Sequence, residues 1–297
     1  MIHHNVCPFC NSGKIQQKFS AKDYTVSGEL FAIFQCNECS GAFTQSVPDQ
    51  QAIGPYYASD SYVSHSNTQK GAINKIYHVV RNITLKAKRK LLQQTTSKKA
   101  GSILDIGCGT GAFLDMMRKS NWQITGLEPD ELARKNAAEI FDIHPLPSND
   151  IFSLPSNNFD AITMWHVLEH VHQLHEYIEQ IKSLLKNEGT FIVAVPNYTS
   201  YDAGHYQQFW AAYDVPRHLY HFSPESMKIL MKKHGLEVVS TKPMWFDSFY
   251  VSMLSEEYRS GRGNIINAFV IGLISNLKAL LKKEKCSSLV YIIKKSA

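Results

Sequence analysis

Downstream of residue 101 the chain reads as short apolar runs separated by stretches with helical spacing. The runs fall at 102–106, 122–127, 160–165, 190–196, 236–240 and 288–294. Most lack the polar alternation of a half-exposed strand, as expected of strands covered on both faces. Between them lie helical patterns. One covers 112–119, and another opens on Ser223-Pro224 and closes at Gly235, a cap, a proline at the first helical position and a glycine stop. Lys186-Asn187-Glu188-Gly189 marks a further helix stop before the run at 190. Strands alternating with helices predict an α/β fold, a mostly parallel sheet doubly wound by right-handed crossovers.

Upstream, a long amphipathic helix is expected over about 72–94. Ile73, Ile76, Tyr77, Val80, Ile83, Ala87 and Leu91 share one stripe, while Lys86, Lys88, Arg89 and Lys90 form a basic, solvated face. Residues 46–71 are polar with aromatic interruptions (Tyr56, Tyr57, Tyr62, His65) and read as an ordered loop. Two segments, 198–222 and 244–286, are too long for simple connections. Ligands of open α/β sheets bind beyond the carboxyl ends of the strands, so these segments are expected to form a lid there. The most apolar tract, 265–281, is interrupted by Asn267, Gly272, Ser275, Asn276 and Lys278. It falls short of the run of about 20 apolar residues that crosses a bilayer.

The chain has 297 residues, 44% hydrophobic and 19% charged, and a net charge of +5. These values fit one large domain with a small appendage and do not by themselves indicate a nucleic-acid partner. The amino terminus lacks the basic and apolar regions of a signal peptide, so a cytoplasmic protein without a membrane span is expected.

Four of the six cysteines form two pairs, Cys7-x-x-Cys10 and Cys36-x-x-Cys39. In a reducing compartment such spacing points to a structural Zn²⁺ held by four thiolates rather than to disulfides. A Ser-Gly pair follows each knuckle, and a β-rich segment with a Ser27-Gly28 turn lies between them. A zinc ribbon over 1–45 is expected, followed by the loop and helix of 46–98 and the main domain of 99–297.

The candidate chemistry starts at Asp105-Ile106-Gly107-Cys108-Gly109-Thr110-Gly111, where the first strand breaks into a glycine-rich turn. Gly111 is not followed by the Lys-Ser/Thr of a phosphate loop, and Asp105 would repel a pyrophosphate but attract a cationic ligand. The second strand ends in Glu128. Here the chain resembles the class I S-adenosylmethionine-dependent methyltransferases, marked by an acid-x-Gly-x-Gly-x-Gly motif and an acid after the second strand. The resemblance implies a Rossmann-like sheet of seven strands. It also implies a donor site in which Asp105, Gly107, Cys108, Gly109 and Gly111 surround the methionine part, and Glu128, beside Pro129, holds the ribose hydroxyls. Asp150, with Asn149 as its alternative, would face the adenine amino group, with the Ile151 amide nearby and Trp165 as a further donor-binding residue.

His166-Val-Leu-Glu-His170 and Pro216-Arg-His-Leu-Tyr-His-Phe-Ser223 resemble a bacterial subgroup acting on small metabolites, sugars and lipid quinones. His166, at the end of the strand, is the candidate general base or else a cap on the donor pocket, and His170 is a second catalytic candidate. Tyr57, His205, Tyr206, Trp210, Arg217, His218 and His221 are candidates for the acceptor site. Arg217 would pair with an acidic acceptor group or tie the lid to Asp214. A small-molecule methyl acceptor of the sugar, lipid-linked or envelope-precursor kind is the expected partner. An RNA methyltransferase using the ribbon and basic helix, and a donor-binding adaptor without turnover, are the alternatives.

Overall fold

The computed structural model describes residues 1–58 and 72–296, with side chains in the second stretch described from residue 81. Tyr62 and His65, and the stripe residues Ile73, Ile76, Tyr77 and Val80, lie outside the described side chains. The apolar runs became strands: β4 (Ser102–Ile106), β5 (Gln123–Leu127), β6 (Phe159–Trp165), β7 (Leu185–Pro196), β9 (Leu236–Pro243) and β10 (Ser288–Lys295). β7 starts five residues earlier than expected, since the preceding helix already ends at Leu184 and Lys186-Asn187-Glu188-Gly189 belongs to the strand and is not a helix stop. They form one sheet in the order β5-β4-β6-β7-β10-β9. β5, β4, β6 and β7 are mutually parallel, while β10 runs antiparallel to both of its neighbours. The helices α2 (Ala112–Arg118), α3 (Glu131–Phe141), α4 (Leu174–Leu184) and α6 (Pro224–Lys233) connect or flank these strands. Ser223 caps α6 in a reciprocal capping box with Ser226, as its Ser-Pro signature suggests.

The sheet has six strands among the described residues, not seven. Where a further strand would extend the edge beyond β5, a lone parallel bridge joins Leu127 to Leu146. Leu146 makes both of its backbone hydrogen bonds to β5, donating to the Gly126 carbonyl and accepting from the Glu128 amide, and the pairing goes no further because Pro147 leads straight into the turn Ser148–Ser153.

The amino-terminal segment forms β1 (Ile15–Lys22), β2 (Leu30–Cys36) and β3 (Ala42–Thr44), antiparallel throughout. The Asp23 carboxylate accepts the amide hydrogens of Thr25, Val26 and Ser27, and Gly28 takes a positive φ to close the hairpin. A fourth strand comes from the other end of the chain. β8 (Tyr220–His221), within the 198–222 segment, pairs with β3. Phe9 packs edge-on against Tyr220 and Phe222, and Ser40 and Ser223 share a 2.9 Å hydrogen bond. Cys7, Phe9, Cys36 and Cys39 thus join the apolar cluster that also contains the central strands.

The helix α1 (Ala72–Thr96) has the expected extent but a different packed face. Ile83 and Ala87 are exposed, Leu92 is fully buried, and Leu85 and Leu91 pack beside it against Phe113, Met117 and Trp122. Turning the helix this way points Lys88 inward. The second long segment contains α7 (Asp247–Ser260) and α8 (Ile265–Leu281), a hairpin packed on itself, and α5 (Tyr201–Tyr206) precedes it within the first. No helix among the described residues is long and apolar enough to cross a membrane.

Candidate active site

The glycine turn sits at the carboxyl end of β4, in the middle of the parallel part of the sheet. Gly107 has φ +73° and the space for its missing Cβ is filled by Val167, whose Cγ2 would stand 2.4 Å away. Only glycine fits there. The Gly109 amide donates to Glu128 Oε2 at 2.7 Å, and the Asp130 amide donates to Oε1 at 3.0 Å. The first of these charge-assisted hydrogen bonds ties the acid after the second strand to the turn, and the second fixes its rotamer within its own loop. Cys108 is buried behind the turn, Pro129 is exposed beyond Glu128, and Gly111, at φ +80°, starts α2.

Asp105 is buried and accepts a 2.5 Å hydrogen bond from Thr163 Oγ1. Burial pushes its carboxyl up to about 7, against the pull of the Lys88 ammonium. Lys88 lies 4.2 Å from the centre of the Trp165 ring, a cation–π placement. Burial lowers its ammonium to about 8, opposed by Asp105 and Asp247. Lys88 therefore does not belong to a solvated basic face. It stands instead beside two carboxyls, those of Asp105 and Asp247. Arg81, also on α1, reaches Thr110 in the turn.

His166 follows β6 with φ +58°. Its Nε2 lies 3.0 Å from Asp247 Oδ2, and its Nδ1 lies 3.4 Å from Glu169 Oε1. Burial alone would lower its pKa, but the two carboxylates prevail and raise it to about 10. A ring held as imidazolium is the opposite of the neutral imidazole a general base requires. His170 is the contrasting case. Its Nδ1 is 3.1 Å from both the Tyr57 hydroxyl and the Arg217 carbonyl, and burial with His218 nearby lowers its pKa to about 4. His218 packs edge-on against it at 4.6 Å. Glu169 is fully buried, and neither oxygen accepts a hydrogen bond of good geometry among the described residues. Glu169, His170 and His218 each bring one ligand atom within 4.8 Å of the others, a spacing that would suit a cation.

The remaining acceptor candidates do not converge on this pocket. Arg217 is 1% exposed, and its guanidinium is divided among Asp214, Asp23 and the Tyr56 carbonyl. It ties lid to ribbon and is not presented to an acceptor. Trp210 is buried and donates to Asp202, His221 meets Thr44 Oγ1 at 3.0 Å, and Tyr206 is buried under Arg259. These three are enclosed by packing between the lid, the ribbon and the α7–α8 hairpin. His205 is exposed on α5, beside Arg259. In the turn Ser148–Ser153, Ile151 is fully buried and Asp150 is half-buried. Asn149 and Phe152, not Asp150, line the open cleft of about 700 Å³ that this turn forms with Asp49, Gln50, Gln51 and Gln173.

Asp247 and Lys88 are site residues that the sequence reading missed. Asp247 lies in a long insertion and Lys88 in a run of lysines, so neither carries a local signal. An acid at the first turn of a helix inside an active-site insertion was the one available hint for Asp247.

The four cysteines come together as their spacing suggests. Cys7 and Cys39 Sγ are 3.5 Å apart, Cys10 and Cys36 Sγ 3.6 Å, and all four sulfurs lie within 4.8 Å of one another. A tetrahedral Zn²⁺ with bonds of about 2.3 Å would set sulfurs roughly 3.8 Å apart. The amides of Phe9, Glu38 and Gly41 donate to the sulfurs, as the second shell of a metal thiolate requires.

Comparison with known proteins agrees with this geometry. The methyltransferase-domain family model matches residues 79–241, more than half of the chain. The ubiquinone biosynthesis O-methyltransferase of Actinobacillus pleuropneumoniae serotype 7 is 32% identical over 108 residues, 33% of this chain and 46% of that protein. The mitochondrial enzyme of the same name from Bos taurus is 25% identical over 163 residues, 50% of this chain and 44% of its own length. The chain thus spans about half the length of the curated relatives it matches. A putative sarcosine dimethylglycine methyltransferase from Galdieria sulphuraria shares the fold, with a TM-score of 0.51 at 15% identity over 75% of this chain and 88% of that one. On the family match and the glycine turn with its two acids, the chain belongs to the methyltransferase-domain family, of the class I S-adenosylmethionine-dependent kind.

Proposed function

We propose that this protein transfers a methyl group from S-adenosylmethionine to a small-molecule acceptor. The observation that carries the reading is the convergence of Asp105, the Gly107–Gly111 turn and Glu128 at the carboxyl ends of the parallel strands, with the Gly109 amide bonded to Glu128. Glu128 would hold the ribose hydroxyls, Asp105 the donor's positive charge, and the Gly107 and Gly109 backbone the close approach that side chains would block. The chemistry supplied by bound S-adenosylmethionine is an electrophilic methyl group on a sulfonium. The protein's part is to hold the acceptor in line and keep water out.

On the acceptor side we assign His166 a positioning role, since its two carboxylate partners hold it as a cation. It locks the start of α7 over the end of β6. His170 and Tyr57, in contact at 3.1 Å, form a neutral pair that would wall the acceptor pocket. The four thiolates of the ribbon would hold a structural Zn²⁺, a closed site with no position left for substrate. Labelled donor incubated with a cell extract, then fractionated into nucleic acid, protein, lipid and small-molecule pools, tests the assignment. Label is expected in the small-molecule or lipid pool. Label confined to nucleic acid, or no label with intact donor binding, would refute it.

A further inference from the structure

The α7–α8 hairpin has its helix faces reversed from the pattern of a water-soluble helix. Small residues dominate the inward side of α8: Ala268, Gly272, Ser275 and Ala279 are buried, with Ile271 the one large member. Gly272 presses so closely on α7 that a Cβ there would lie 2.8 Å from the Phe249 ring. The large apolar residues point out. Ile265, Ile266 and Leu281 are 77%, 80% and 92% exposed, and Phe269, Leu273 and Leu277 continue the stripe between them. At helical spacing these positions fall on one side, opposite the buried seam. A continuous outward stripe of this kind marks an interaction surface rather than scattered exposure.

Charge selects the partner. α8 contains no acidic residue, Arg262 precedes it, and Lys278, Lys282, Lys283 and Lys285 stand exposed at its carboxyl end. The nearby Glu284 faces Lys228 at 3.8 Å. Beside the stripe an open cleft of about 520 Å³ is lined by Tyr201, His205, Lys278, Leu281, Lys282 and Lys285, three ammonium groups next to apolar surface. Self-association through this face would bring like charges together. Antiparallel pairing would set the lysines against Arg262, and parallel pairing would set lysine against lysine. A surface of anionic lipid headgroups over hydrocarbon complements both features. The length agrees: 17 residues at about 1.5 Å each reach roughly 26 Å, less than the ~30 Å hydrocarbon core, with Lys278 inside the run. The helix would lie on a bilayer and not cross it.

We propose that α8, with its lysine-lined cleft, docks this protein onto anionic membrane surfaces, the apolar stripe entering the headgroup boundary and the lysines binding lipid phosphate. The proposal does not depend on the identity of the methyl acceptor. Flotation of the full chain with vesicles of phosphatidylcholine alone, or with about one third phosphatidylglycerol, tests it. Binding to the anionic vesicles is expected to exceed binding to the neutral ones by about tenfold and to fall with salt. Leu277→Asp, and separately the pair Lys282→Glu with Lys283→Glu, are expected to reduce it about tenfold, with unchanged thermal melting and donor affinity, because these side chains are exposed and outside the donor site. Equal partition onto neutral vesicles, or no binding to either, overturns the proposal. So does a dimer in sedimentation that Leu277→Asp dissociates without any vesicle effect, which would give the stripe to a second copy of the chain.

Discussion

His166 Nε2 and Asp247 Oδ2 lie 3.0 Å apart, joining the end of a central strand to the first turn of the α7–α8 hairpin. Replacing Asp247 with Asn should lower the His166 pKa from about 10 toward its ordinary range and misplace the hairpin over the acceptor. Turnover is expected to fall about a hundredfold while donor affinity is kept. Unchanged turnover with a shifted His166 imidazole resonance would make the pair purely structural. The pH dependence has a defined sign. Because the folded-state pKa is raised, the His166 contribution to stability is complete below 6.5 and is lost as pH rises through about 10. Asp247 and Glu169 are held below their ordinary values, so their contributions disappear as pH falls through the carboxylate range.

Glu128→Ala removes the acceptor of the Gly109 and Asp130 amides together with the proposed ribose contact. Donor affinity measured by calorimetry should drop by about a hundredfold or more, equivalent to roughly 3 kcal/mol. An affinity within threefold of wild type would show that the donor does not bind at this acid.

Cys36→Ser takes one of the four sulfurs from the ribbon. Elemental analysis should find about one zinc per chain in the wild type and little in the variant, with a Tm lower by roughly 10 °C or more. Wild-type protein free of zinc after purification without chelators would remove the metal from the proposal.

Arg217→Ala should act on stability and not on acceptor affinity. The side chain is buried between Asp23 and Asp214, and its loss strands two carboxylates at the junction of ribbon and lid. Chemical denaturation should report a loss of about 3 kcal/mol. A KM effect with unchanged stability would return Arg217 to the acceptor site.

At the opposite edge of the sheet, Asp160 receives Lys98, Lys186 and the amide and hydroxyl of Ser102. These partners hold its carboxyl well below the usual range. The contribution is present above pH 4 and is lost as pH falls, because the folded-state pKa is the lower one. Asp160→Asn should cost about 1–2 kcal/mol, moderated by the half-exposed lysines, and should flatten the acid limb of the stability curve. Turnover per folded molecule should not change.

The central sheet was legible because its strands are buried on both faces. Runs such as Ser102–Ile106 and Phe159–Trp165 therefore carry their own signal, and the glycine turn and cysteine pairs are marked by residue types that few other roles require. The outer edge was harder. Leu146 sits where a seventh strand would form, but the turn Ser148–Ser153 that follows it cuts the pairing to one bridge, a local outcome that the fold resemblance does not carry. The rotation of α1 was also hidden. The stripe through Ile83 and Ala87 and the face bearing Leu85, Lys88 and Leu92 both have helical spacing, and only tertiary contact decides which face packs. Arg217 illustrates a different limit. Its two acidic partners are Asp214, three residues away, and Asp23, far off in the ribbon.

β8 is only two residues long, yet Tyr220 and His221 pair with Phe43 and Ala42. The amino-terminal ribbon is consequently not a detachable cassette. A gene cut near residue 46 would leave β8 without a neighbour, and a ribbon grafted onto a relative lacking this loop would carry a bare sheet edge. Transfer of the β8 loop between relatives, in the laboratory or through recombination, has to carry the ribbon with it as one heritable unit.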